Sequence, residues 1–377
     1  MLDFPAVTAM HARVNPFFVP GRVAREPRDP VRAFHRALPG YAPTPLHRCD
    51  GLARALGLGD LRVKDESHRF GLGAFKALGA AWALHQIRES RTGPMIVSTA
   101  TAGNHGRAVA WAAHRLGVPA VVFIPAQAAP PRIENIRREG ARVELVAGSY
   151  DDAVRRCAEE SAAYGWQVVS DTGYDGYLDI PHWIAEGYAT LFEETDEQLA
   201  RDGSGGPDVV LVQAGVGGLL HSAVDHYRAK ASQPMLAAVE PAEADALFES
   251  INTPDGDPAP SRGRQDTIMA GLNCGAVSLS AWPAVHRGVE LFMTVEDRYA
   301  EAAMRRFARP VAGDPAITAG ESGAAGLAGL LALLEAPPLQ AARRFLRLGP
   351  ASRVLLINTE GATDPDGYRR VVGEAPC

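Results

Sequence analysis

Apolar positions along this chain fall into short continuous runs separated by amphipathic stretches. Leu61–Lys64, Met95–Ser98, Ala120–Ile124, Val143–Val146, Val168–Ser170, Asp208–Gln213, Leu236–Glu240 and Val354–Asn358 are brief, apolar or β-branched, and read as strands. Between them, Phe75–Arg88, His105–Leu116, Arg132–Gly140, Tyr150–Tyr164 and Ile180–Leu199 read as helices, and Leu52–Leu58 as a shorter one stopped by Gly57 and Gly59. Gly140 suits a helix end, and Asp151 and Asp152 suit a first turn, where carboxylates meet the positive end of the helix. Strand and helix alternating at these lengths predict βαβ units, hence an α/β fold with mostly parallel sheet and right-handed crossovers. The first 50 residues show no clean period and read as an extended arm ending in the turn-like Tyr41–Leu46. Arg201–Pro207 and Pro254–Arg264 read as loops, the former as a return point between two lobes.

A length of 377 residues suits two domains, at roughly 100–200 residues each. A chain 46% hydrophobic and 22% charged is a packed globule and not a disordered polymer. The net charge of −6 gives no general pull toward nucleic acid or anionic membrane. The longest greasy stretch, Gly326–Leu334, is shorter than the about 20 residues a bilayer needs. The first residues lack the build of a signal peptide. Cys49, Cys157, Cys274 and Cys377 are scattered and form no C-x-x-C pair, so they read as free thiols in a reducing compartment, with no metal site. These points lead to the expectation of a cytoplasmic enzyme or binding protein, with no nucleic-acid or membrane partner.

Four segments carry candidate chemistry. Gln213-Ala214-Gly215-Val216-Gly217-Gly218-Leu219-Leu220 follows a strand and opens a helix, so its backbone N–H groups can converge on an oxyanion. It is no P-loop, because no Gly-Lys-Ser/Thr follows, and its spacing does not fit a dinucleotide fingerprint. Lys76 stands at a helix start after the apolar, glycine-bearing loop Arg69–Phe75. Apolar walls lower a lysine pKa, and such an amine forms a Schiff base with an aldehyde, although taken alone Lys76 reads as a surface lysine. Ser98–Gly106 is a strand, a polar glycine turn and a helix start, suited to holding a carboxylate, with Asn104 able to donate to a ring oxygen or simply to cap the helix. Asn358-Thr359-Glu360-Gly361 ends the last strand, where ligands of open α/β sheets lie, or makes a plain turn.

Together these segments resemble the fold-type-II pyridoxal 5′-phosphate enzymes, the tryptophan synthase β group, and within it the diaminopropionate ammonia-lyase family. The likeness runs through Phe34–Tyr41, Val63–Ser67, Arg69–Leu72, Ala74–Gly79, Gly103–Arg107, Gly187–Leu191, Thr267–Leu272, Gly320–Gly323 and Thr359–Gly361, and spans Phe34 to Tyr368. It implies two lobes, each a mostly parallel twisted sheet flanked by helices, with residues 1–88 plus 196–377 forming the large cofactor-binding domain and 89–195 a small inserted one. The active site lies in the cleft between them, and the assembly is a homodimer. The resemblance makes Lys76 the residue that carries the cofactor as a Schiff base, with Phe75 beside it. Gly215, Val216, Gly217, Gly218 and Leu219 hold the phosphate, Asn104 the ring hydroxyl and Thr359 the ring nitrogen. Ser98, Thr101, Ala102, Gly103 and His105 surround the substrate carboxylate. A hydroxyl at Thr359 leaves the ring nitrogen largely unprotonated, which suits expulsion of a β-group more than long-lived carbanion chemistry.

The implied reaction is β-elimination of 2,3-diaminopropionate to pyruvate and ammonia. Lys76 takes the α-proton, and Asp171, at the end of a strand, recognises or protonates the β-amine; otherwise it caps the following turn. One departure stands out. Where the family reads Thr-Thr-Asp-Gly-Asn-His-Gly, this chain reads Ala100-Thr101-Ala102-Gly103-Asn104-His105-Gly106. The missing acid is the family's base for the D-isomer, so only the L-isomer is expected to react. Ala362 also replaces an Asp usual in the family. The Thr-Ala-Gly-Asn-His order resembles serine and threonine dehydratases too, which leaves another β-substituted L-amino acid as an alternative substrate, and a non-catalytic cofactor binder as a second.

Overall fold

The computed structural model describes residues 10–21, 29–311 and 313–376. Cys377 and parts of the expected arm lie outside the described residues. Among the described residues there are eleven strands: β1 (Ala12–Val14), β2 (Leu46–Arg48), β3 (Asp60–Asp65), β4 (Val97–Ala100), β5 (Ala120–Pro125), β6 (Arg142–Val146), β7 (Gln167–Val168), β8 (Val209–Gln213), β9 (Met235–Pro241), β10 (Leu291–Val295) and β11 (Arg353–Asn358). They form two sheets. One has seven strands in the order β1-β10-β9-β8-β11-β3-β2, and the other has four in the order β6-β5-β4-β7. The small sheet is parallel throughout. The large one is parallel across its five inner strands and antiparallel only at its edges, β1 and β2. The inner strands are buried on both faces, which is why β8 reads Val-Val-Leu-Val with no polar alternation.

The greasy stretch near Gly326 is the helix Ala325–Glu335, buried along almost its whole length against the large sheet. A Cβ at Gly329 would come within 2.7 Å of Val239 on β9, so glycine there lets helix and strand approach. Among the described residues no single helix is long and apolar enough to cross a membrane.

Two expectations need correction. The helix predicted over Ile180–Leu199 is two, Asp179–Gly187 and Ala189–Arg201, joined at Tyr188. Beside the break, Gly187 lies so close to the helix Lys76–Glu89 that an added Cβ would meet the Leu78 carbonyl at 2.6 Å. The arm is not simply extended, since Asp29–Ala37 is a helix whose His35 is fully buried between the Thr190 hydroxyl and the Leu78 carbonyl. The strands β1, β2 and β10 were not expected from their sequence. Two are three-residue edge strands, too short to show a period, and β10 follows a helix with no turn signal between them. The helix Ala189–Arg201 packs on the helices Asp29–Ala37 and Gly218–Arg228.

Candidate active site

The carboxyl ends of β3 and β11 set the stage. These parallel neighbours pair up to Asn358 opposite Asp65, and the Asn358 amide donates to the Asp65 carboxylate at 2.7 Å. Asp65 also accepts from the Ser67 amide at 3.1 Å, which starts the 3₁₀ segment Glu66–Gly71, kinked at Arg69 and Phe70. The Phe75 amide donates to the Thr359 carbonyl at 3.1 Å, and Ala74 bridges to Glu360. Lys76, the first residue of the helix Lys76–Glu89, is thereby anchored beside the end of β11.

A buried ionic cluster supports this loop from below. Glu194 accepts from Lys64 at 2.7 Å and from Arg69 at 2.8 Å, and Arg69 also reaches Glu66 at 2.8 Å. The Tyr41 hydroxyl donates to Glu194 at 2.8 Å, which ties the arm to the same carboxylate. Burial would push the Glu194 carboxyl up, but Arg69 and Lys64 hold it at about 2.

The Lys76 ammonium donates to Asp171 Oδ2 at 2.7 Å. Its Nζ lies 5.3 Å from the centre of the Phe75 ring and 5.9 Å from that of Tyr188. The expected depression of the lysine pKa is overturned: burial lowers it, but the Asp171 carboxylate more than offsets this and raises it. Asp171 itself, which burial alone would push up, is held well below the usual carboxylate range by Lys76. It does not cap the next turn, because Ser170 Oγ accepts from the Thr172 amide instead. His105 Nδ1 stands 3.9 Å from the same Asp171 oxygen.

The glycine turn runs from the end of β8 into the helix Gly218–Arg228. Gly217 has φ +102°, a left-handed conformation that favours glycine, and the helix has no side-chain cap. Its first-turn amides are therefore presented to whatever anion sits above them. A Cβ at Gly215 would meet Cys274 Sγ at 2.9 Å, and one at Gly218 would come 3.8 Å from the Tyr188 ring. Tyr188 and Cys274 thus connect the turn to Lys76. Burial pushes both the Cys274 thiol and the Tyr188 phenol up to about 12.

Asn104 does not cap its helix. Its amide nitrogen donates to Glu360, whose carboxylate also accepts from the Ser322 amide at 3.2 Å. Asn104 follows β4 of the small sheet and Glu360 follows β11 of the large one, so this bond spans the cleft between the sheets. Ala102, Gly103, Asn104, Arg132, Glu321 and Glu360 line a cavity of about 70 Å³ there. Burial, with Glu360 and Asp364 nearby, pushes the Glu321 carboxyl up to about 7. Glu360→Ala is expected to weaken cofactor binding roughly 10-fold in an absorbance titration, because the Asn104 amide loses its tether. Glu360→Gln can still accept that bond and should lose far less.

These residues fit a pyridoxal phosphate. The uncapped turn suits its phosphate. Asn104 keeps a second amide hydrogen for a ring oxygen, since only one goes to Glu360. Thr359 Oγ1 accepts from Gln213 at 3.1 Å, and its own proton has only a distant carbonyl at 3.5 Å, so it can turn to a ring nitrogen. Thr101 Oγ1 accepts from the Gly103 amide at 3.0 Å, which shapes the turn, and Gly106 is needed there because a Cβ would strike the Thr101 carbonyl at 2.4 Å. Ser98 is the exception among the expected residues. It is fully buried, and its hydroxyl pairs with Ser161 at 2.7 Å, so it faces the helix Tyr150–Tyr164 and not a substrate. Glu360, Tyr188, Cys274 and Glu321 had no stated site role in the sequence reading. Among the described residues no cluster of His, Cys, Asp or Glu could hold a metal ion.

Fold and cleft define a fold-type-II pyridoxal-phosphate enzyme, and the profile of the family described as pyridoxal-phosphate dependent enzyme matches residues 37–360. The cofactor is pyridoxal 5′-phosphate. Over 367 residues the chain is 40% identical to the diaminopropionate ammonia-lyase of Salmonella typhimurium, an alignment covering 91% of each. It belongs to the diaminopropionate ammonia-lyase family. Two crystal structures of the Escherichia coli diaminopropionate ammonia-lyase superpose closely. The holoenzyme matches with a TM-score of 0.89 at 36% identity, covering 97% of this chain and 96% of that one. A complex with D-serine matches with the same TM-score and identity, covering 97% of each.

Proposed function

We propose that the protein eliminates ammonia from 2,3-diaminopropionate to give pyruvate and ammonia, and that it turns over the L-isomer only. The observation that carries the reading is the enclosed Lys76–Asp171 pair, 2.7 Å apart, in a chain so similar to diaminopropionate ammonia-lyases. Bound pyridoxal phosphate supplies the electron sink for cleavage at the substrate α-carbon. Lys76 holds the cofactor and then takes the α-proton on Nζ. Asp171 faces the β-nitrogen, which must leave protonated, and its carboxylate favours that state. The amides of Gly215, Val216, Gly217, Gly218 and Leu219 hold the phosphate, with Phe75 packing beside Lys76. Asn104 orients the ring through its hydroxyl, and Thr359 meets the ring nitrogen as a neutral donor. Thr101, Ala102, Gly103 and His105 surround the substrate carboxylate. The lobes, 89–195 against the rest, close over this site and exclude water. The assembly is a homodimer in the cytoplasm.

The restriction to the L-isomer rests on Ala102, whose methyl cannot take a proton where the family pattern has Asp. The dehydratase-like order Thr101-Ala102-Gly103-Asn104-His105 supports a second reading, in which the leaving group is a hydroxyl. Release of 2-oxo acid from L- and D-diaminopropionate, L-serine and L-threonine separates the two. The L-diamine should exceed the D-diamine by about 10²-fold or more, the scale of one positioned base, and Ala102→Asp should raise the D-rate. Comparable rates on both isomers remove the stereochemical restriction. Faster release from serine or threonine replaces the lyase with a dehydratase.

A further inference from the structure

His105 has one nitrogen without a partner. Its Nε2 lies 3.0 Å from the Val169 carbonyl oxygen. A carbonyl only accepts, so Nε2 carries the ring proton and Nδ1 presents a lone pair. That Nδ1 is buried, makes no hydrogen bond, and stands 3.9 Å from Asp171 Oδ2. Buried acceptors without a donor are rare and costly. Lys76 does not fill the gap, because its ammonium bonds Asp171 and leaves Nδ1 unpaired. Nor does a second ring proton, since burial and the nearby Lys76 charge lower the imidazole pKa more than Asp171 raises it.

We propose that Asp171 and His105 Nδ1 form a two-acceptor seat for the substrate's β-ammonium, and that His105 is the residue separating a β-ammonium from a β-hydroxyl. The inference deepens the diaminopropionate reading and rests on it. Acceptors 3.9 Å apart subtend about 90° at a nitrogen ~2.8 Å from each, near the spread of ammonium N–H bonds. An ammonium has a donor for both acceptors. A hydroxyl has one, so either acceptor stays buried and unpaired, a penalty of roughly 10- to 100-fold in binding. Lys76 occupies the Asp171 side of the seat and vacates it once its nitrogen is engaged by the cofactor. The Val169 carbonyl fixes the ring tautomer that makes this possible.

The experiment uses the holoenzyme in two arms. In the first, His105→Phe is compared with wild type on L-diaminopropionate and on β-chloro-L-alanine, whose leaving chloride offers no donor. The variant should lose about 10- to 100-fold in kcat/KM on the diamine, chiefly in KM, and at least about 5-fold less than that on the chloride, which shares the carboxylate but not the second ammonium. Equal losses on both substrates overturn the proposal. In the second arm, ¹⁵N-histidine spectra of wild type read the ring directly. Nδ1 should be unprotonated and should shift with L-2,4-diaminobutyrate, which carries a second ammonium but no β-leaving group, and not with L-2-aminobutyrate. A protonated Nδ1, or no response to the diamine, overturns the seat. Absence of 2-oxo acid from wild type and diaminopropionate would instead sink the lyase reading, while the spectra still decide the seat.

Discussion

Lys76→Ala is expected to reduce 2-oxo acid release by at least about 10³-fold, the upper range for loss of a positioned proton-transfer group combined with loss of the covalent anchor. The expectation follows from where the side chain is held. Lys76 opens a helix whose start is hydrogen-bonded to the end of β11 through Phe75 and Thr359. Its amine is enclosed by Phe75, Tyr188 and Asp171. No other lysine is available to substitute for it there: Lys64 is fully buried in the ionic cluster with Glu194, and Lys230 pairs with Asp196. The variant should also fail to give the imine absorbance that borohydride removes, although phosphate contacts at the glycine turn remain. An alanine variant retaining a tenth of wild-type activity would remove Lys76 from the proposed role. Asp171→Asn is a useful comparison, since it keeps the shape but removes the charge that raises the Lys76 pKa.

Much of this was legible in the chain itself, for physical reasons. Strands buried on both faces leave continuous apolar runs, and β5, β8, β9 and β11 were each located to within a residue or so at either end. The glycine turn stood out as a candidate because it directly follows a strand, where backbone geometry restricts residue choice, whereas Lys76 and Asn104 stood out only through the family resemblance. Edge strands were not, since β1 and β2 have three residues each and half-exposed patterns. Long-range partners were not legible either. Glu360 reads as part of a turn, and only the fold brings it to Asn104, 256 positions away. Ser98 was misplaced because its side chain points to the other face of β4 from the one that serves the turn. The Lys76 pKa was misjudged for the same reason. Apolar neighbours in sequence were visible, whereas Asp171, 95 positions on, was not.

Glu194→Ala is expected to destabilise the protein by about 3–5 kcal/mol, the cost of leaving buried charges unpaired. Lys64, Glu66, Arg69 and Glu194 are all about 0–1% exposed, so water cannot replace the lost carboxylate. Arg69 keeps Glu66, but Lys64 keeps only the Thr44 carbonyl and Gln198 as neutral acceptors. The midpoint of urea unfolding, followed by fluorescence, should fall with little change in slope. The sign of the pH dependence is fixed by the same contacts. The folded Glu194 carboxyl is held at about 2, below its unfolded value. Its contribution is therefore complete above the unfolded carboxylate range and is lost as pH falls toward the folded one. Wild type and Glu194→Ala should differ most near neutrality and converge in acid. Replacing Lys64, Arg69 and Glu194 together by apolar residues of similar volume tests the cause. If unpaired charge is responsible, these three replacements combined with Glu66→Gln, which avoids a new orphan, should give a fourfold variant more stable than Glu194→Ala. A fourfold variant as unstable as the single one would place the cost in packing around Tyr41 and Thr44 instead, where the arm joins the loop that carries Lys76.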